Sequence, residues 1–110
     1  MDTSNKPPFD EPLAKSYIGR YVLIGITYYD SAGIPVKHEQ MHGTIGEVSS
    51  ESGIRVDLKG KRDGQAKWFP PDIRSLMEAN AGEYSLRETG EVIVNPDLLW
   101  TWNVTMPTDQ

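Results

Sequence analysis

The sequence predicts a mainly β fold: a small antiparallel barrel or rolled sheet with one short helix and an additional C-terminal hairpin. Three observations lead there. Apolar and polar residues alternate over short runs, most plainly in Leu98, Trp100, Trp102, Val104 and Met106 against Leu99, Thr101, Asn103 and Thr105. Ten glycines and eight prolines punctuate the 110 residues and leave runs too short for long helices. The runs themselves are rich in β-branched and aromatic side chains, which fit a pleated, half-buried surface. A chain of this length makes one domain, and it contains no cysteine to staple it.

Residues 1 to 16 hold Pro7, Pro8 and Pro12 among few large apolar side chains, so they are expected to form a flexible N-terminal arm. The domain is expected over residues 17 to 106, with 107 to 110 as a tail. Its first strand lies within Tyr17 to Asp30, where Val22, Ile24, Ile26 and Tyr28 share one face and Tyr21, Leu23 and Thr27 the other. That strand should be buried on much of both faces. Asp30 to Gly33 supply turn chemistry, and a second strand starts near Ile34 or Pro35. Ile45 to Val48, the turn Ser50 to Gly53, and the alternating Ile54, Val56 and Leu58 form a half-buried hairpin.

A turn from Gly60 to Gly64 leads to a strand at Lys67, Trp68 and Phe69, which Pro70 and Pro71 end because proline cannot donate to a ladder. Asp72 is placed to cap a short helix, with Ile73, Leu76 and Met77 on one face and Asn80 to Gly82 closing it. Tyr84 and Leu86, a turn at Thr89 and Gly90, and Val92 to Val94 read as the additional hairpin. The aromatic strand from Leu98 to Met106 completes the domain.

This order of elements resembles the SH3-like barrels, including Tudor-type modules. The resemblance covers roughly Tyr17 to Leu76 and is carried by GTIGEVSSESGIRVDL and KWFPPDIRSL. The hairpin between Gly82 and Met106 departs from the simplest five-stranded form. The chain is also similar to small bacterial proteins of unassigned function. Tudor-like domains hold methylated side chains in aromatic cages by cation–π attraction, so the resemblance implies a binding role for exposed aromatic residues.

The formal net charge is -5, and it is unevenly placed. From residue 68 onward only Arg74 and Arg87 are basic, against Asp72, Glu78, Glu83, Glu88, Glu91, Asp97 and Asp109. An acidic C-terminal half suggests a partner of basic character, because complementary charge speeds encounter. Nucleic-acid binding is disfavoured, since it needs a basic footprint and the local excess of Lys59, Lys61, Arg62 and Lys67 reads as a solvated turn. No apolar run reaches the roughly 18 residues needed to span a bilayer, and residues 1 to 16 lack a signal-like apolar core. A cytoplasmic location without membrane association is therefore expected.

One motif has a sharp chemical meaning. His38, Glu39, Gln40, Met41 and His42 spell H-E-x-x-H, which on a helix sets two histidines on one face to hold zinc while the glutamate activates a bound water. Under this reading the protein is a zinc-dependent hydrolase with His38 and His42 as ligands, Glu39 as the base, and Glu78 as the third ligand. The neighbouring sequence favours a strand instead. There the two histidines would stand about 13 Å apart, out of reach of one metal, with Glu39 on the opposite face. No phosphate loop, nucleophile elbow or dinucleotide fingerprint is present.

The first reading is therefore a non-catalytic module without a cofactor that binds a protein or peptide. Consecutive aromatics on a strand cannot all face one core, so one residue of each of the pairs Tyr28–Tyr29 and Trp68–Phe69 should be directed outward. Tyr29, Trp68 and Phe69 are the expected partner-binding residues.

Overall fold

The computed structural model describes residues 9 to 107; most of the expected arm, residues 1 to 8, and most of the tail, residues 108 to 110, lie outside the described residues. Helix α1 (Glu11–Lys15) begins at Asp10, whose carboxylate accepts the Leu13 N–H at 3.1 Å. This part of the expected arm is thus helical. Pro12 falls in the first turn, where a missing N–H costs nothing, and Ala14 is buried against the sheet.

The strands follow as β1 (Tyr21–Tyr29), β2 (Pro35–Ser49), β3 (Gly53–Leu58), β4 (Ala66–Phe69), β5 (Leu76–Glu78), β6 (Glu83–Ser85), β7 (Val92–Val94) and β8 (Leu98–Thr105). A 3-10 turn at Gly60–Arg62 joins β3 to β4. The mainly β expectation holds. Six strands make one sheet in the order β4-β3-β2-β1-β8-β5, and β6 pairs with β7 in a separate hairpin. Neighbouring strands are antiparallel except β1 and β8, which run parallel with Val22 opposite Leu98 and Tyr29 opposite Thr105. The six-stranded sheet is open, with β4 and β5 at its ends.

β2 is long because it serves two partners in succession. Residues 35 to 44 pair with β1, and residues 43 to 49 pair with β3 on the other side. Between Ile45 and Glu47 the register slips, leaving Gly46 as the extra residue of a bulge, a feature that bends a strand. The sheet therefore folds back on itself: Phe69 at the far end of β4 meets Trp100 and Trp102 of β8, with ring centroids 5.0 and 5.8 Å away. Val22, Ile24 and Ile26 of β1, Ile45 of β2, Ile54, Val56 and Leu58 of β3, and Leu98 and Trp100 of β8 fill the space between.

The outer face of β1 is covered too, as its double burial requires. Leu23 packs under Leu86 and Ile93 of the β6–β7 hairpin, joined by Tyr21, Tyr84 and Leu99. The helix expected after Asp72 does not form. The Asp72 carboxylate turns back onto Arg74, accepting its backbone N–H at 3.0 Å and its guanidinium at 2.9 and 2.6 Å. Leu76 to Glu78 instead pair with Trp100 to Leu98 as β5. A two-turn helix has little stability of its own, and a ladder against β8 outweighs it.

Candidate functional site

At the open end of the folded sheet, side chains of β4 stand opposite the inner face of β1 and β8 and leave part of it uncovered. A cleft of about 410 Å³ lies there, floored by Ile26 and Tyr28 of β1 and walled by Lys67 and Trp68 of β4 and by Trp102 and Val104 of β8. Strand alternation dictates this set, since Ile26, Tyr28, Trp102 and Val104 all belong to the faces that carry the core upstream. Trp68 is 44% exposed and Val104 36% exposed, so apolar surface is open to solvent here. Beyond Pro70 and Trp102, which both clefts share, a larger cleft of about 700 Å³ continues toward Phe9 and Pro71.

Charge gathers on one side of the smaller cleft. The Tyr28 hydroxyl donates to Glu39 Oε1 at 2.7 Å, and Arg62 Nη2 lies 3.5 Å from Glu39 Oε2. That hydrogen bond from Tyr28, followed by the fields of Lys37, Arg62 and Lys67, holds the Glu39 carboxyl below its ordinary range despite burial. The same bond raises the Tyr28 phenol, whose proton it retains. Lys37 sits 5.4 Å from the Tyr28 ring centroid and Lys67 5.6 Å from that of Phe69. Neither lysine forms an ion pair among the described residues. Three cations thus face one carboxylate in a chain that is acidic as a whole.

The expected partner-binding residues separate. Trp68 and Phe69 both line the cleft, but Phe69 is only 4% exposed and serves mainly the core. Tyr29 lies outside it, at the end of β1, where its carbonyl accepts the Met106 N–H at 2.7 Å. Tyr28 takes the place expected for Tyr29. The parity of Val22, Ile24 and Ile26 in the sequence could have revealed this, because Tyr28 continues their face.

The H-E-x-x-H residues are dispersed, as a strand requires. All of residues 35 to 42 lie in β2. His38 is exposed opposite Thr27, His42 is buried opposite Leu23, and Glu39 faces the inner side with Tyr28. Glu78 stands on β5 rather than on a helix, and Arg20 donates to it at 3.1 Å. Among the described residues no group of three or more His, Cys, Asp or Glu side chains is placed to hold a metal ion.

His42 instead joins a network that sequence reading missed. Its Nε2 lies 3.1 Å from Glu91 Oε2 and its Nδ1 2.5 Å from the Tyr21 hydroxyl. A carboxylate only accepts, so Nε2 carries a proton, and in the neutral ring Nδ1 then accepts from Tyr21. Glu91 Oε2 also accepts the Lys61 N–H at 3.1 Å. Hydroxyl, imidazole and carboxylate in line are the parts of an activated nucleophile. Burial and the Glu91 charge raise the Tyr21 phenol, however, which opposes the phenolate a nucleophile would need. The network's evident effect is to tie the β6–β7 hairpin and the 3-10 turn to β1 and β2.

A third cleft, of about 350 Å³, opens on the outer face over Gly25 and is lined by Thr27, His38, Gln40, Arg87 and Glu88 among others. Gln40 Oε1 accepts the Glu88 N–H there at 2.9 Å, holding the hairpin tip. Its lining holds Glu39 and Glu88 against Arg87, a formal charge of one negative, and Glu39 is already engaged by the Tyr28 hydroxyl. No helix among the described residues is long and apolar enough to cross a membrane. In comparisons with known proteins, no family model, no curated protein and no solved structure matches the chain.

Proposed function

We propose that this protein is a non-catalytic interaction module, of SH3-like character, that binds a segment of another protein in the cleft between β4 and the inner face of β1 and β8. One observation carries the reading: Trp68 and Val104 are exposed at the sheet's uncovered end, beside Tyr28 and Trp102, which are half-buried and continue the core face. Exposed apolar surface rimmed by charge is where protein partners bind, and Trp and Tyr are enriched among the residues that carry binding energy. The dispersal of His38, Glu39, His42 and Glu78 gives the hydrolase reading no comparable support.

Cross-linking tests it. A photoreactive phenylalanine placed at position 68 should capture a discrete partner in the native cell extract, and one at position 92, exposed on β7, should not. Val104→Glu, which places a charge in the cleft at a part-exposed site, should abolish capture from position 68. Equal capture from both positions, or capture indifferent to Val104→Glu, would remove this cleft from the function.

A further inference from the structure

We propose that the occupant of this cleft is an extended acidic peptide segment that adds to β4 as an extra strand and covers the inner face left open by β1 and β8. The inference rests on the interaction-module reading and specifies its partner.

The backbone provides the first argument. β4 pairs with β3 on one side only. The Leu58 N–H donates to the Gln65 carbonyl at 2.8 Å, which marks that pair as hydrogen-bonded. Bonded and non-bonded pairs alternate in an antiparallel ladder, so Lys67 and Phe69 direct their peptide groups to β3. Ala66 and Trp68 direct theirs outward. Among the described residues these donors and acceptors have no partner, and they lie beside an apolar cleft, the arrangement by which sheet edges capture extended peptides.

Side chains decide which peptide. A strand beside β4 would turn every second residue inward, onto Tyr28 and Val104 and next to Lys67. Lys67 carries its charge on that inner side, with Lys37 and Arg62 near the same carboxylate, Glu39, that partly offsets them. An inward charge on an edge strand repels indiscriminate apolar pairing. It also selects: a segment that brings one carboxylate opposite Lys67, flanked by apolar residues, answers both the charge and the apolar floor. The acidity of the whole chain suggests a basic partner, whereas the local field at the cleft has the opposite sign and acts at contact distance.

Two blocked synthetic hexapeptides provide the probe, Val-Thr-Glu-Thr-Val-Thr and its twin with Lys in place of Glu. Titration into isotope-labelled protein should shift Tyr28, Trp68 and Val104 resonances with the Glu peptide. The Lys twin should bind about tenfold more weakly, the effect expected for a like charge against a desolvated lysine. Lys67→Glu should reverse that order. Hydrogen exchange at the Ala66 and Trp68 amides should slow in the complex, and Ala66→Pro, which removes an outward N–H and leaves the β3 ladder intact, should weaken binding about tenfold. Binding without protection of these amides, or binding lost on Val104→Glu yet untouched by Ala66→Pro, would overturn strand addition while leaving the module reading standing. Failure of both peptides to shift any cleft resonance would overturn the proposed occupant. Cross-linking from position 68 would still judge the module reading on its own.

Discussion

His42 shows how one buried polar side chain can be worth more for position than for chemistry. It is 5% exposed, and both ring nitrogens have partners in Tyr21 and Glu91. His42→Ala strands a part-buried hydroxyl and a carboxylate that is 18% exposed, so it should cost about 2–3 kcal/mol in urea unfolding. The pH dependence follows from Glu91. Hydrogen bonds from Thr89 first, then from His42 and the Lys61 backbone, hold its carboxyl below the ordinary 4.5. A lowered carboxyl stabilises the fold fully above its unfolded value and ceases to do so as pH falls from there through the folded value. Acidification below pH 4.5 should therefore speed hydrogen exchange at Ile93, within the hairpin, before β3 is affected. In Glu91→Gln that acid-dependent step should be absent; if it persists, another group controls the hairpin.

At the scale of elements, β2 depends on a close approach at Gly43. A Cβ there would collide with the Asp57 carbonyl and stand 2.9 Å from the Leu58 Cα, both backbone atoms of β3 that cannot step aside. Gly43→Ala should thus force the β2–β3 pair apart and cost about 1–3 kcal/mol. Gly25 on β1 has no atom within 4 Å of the same hypothetical methyl, so Gly25→Ala should leave the unfolding midpoint nearly unchanged. If the two variants prove equally stable, the close packing of β2 on β3 is misplaced.

The strands that alternate, β1, β3 and β8, were legible in the sequence because each has one face in the core. β5 was not, since Leu76, Met77 and Glu78 pair with β8 for want of anything local, and Ile73, Leu76 and Met77 also match a helical stripe. Of the cleft, Trp68 was legible as an outward aromatic. Its floor was not, because no local pattern in the sequence tells which strand will lie across the inner face of another. The pairing of His42 with Glu91, 49 positions apart, leaves no local trace either.

For the whole molecule, one packed interior is shared by both halves of the folded sheet, and Trp100 stands at its centre against Phe69 and Trp102. Trp100→Ala should cost about 3–5 kcal/mol and lower the midpoints seen by fluorescence and by circular dichroism together. Separate transitions for the two probes would mean that the β3–β4 half and the β1–β8 half unfold independently.

β8 enters the sheet between β1 and β5, although it follows every other strand in sequence. The contact that admits it joins Tyr21 to Asp97, 76 positions apart. A chain growing from its N-terminus must therefore carry β1, with one apolar flank unzipped, until residues 98 to 105 have been made. Until then the unpaired edge of β1 is an apolar surface of the kind that makes partly made chains prone to aggregate.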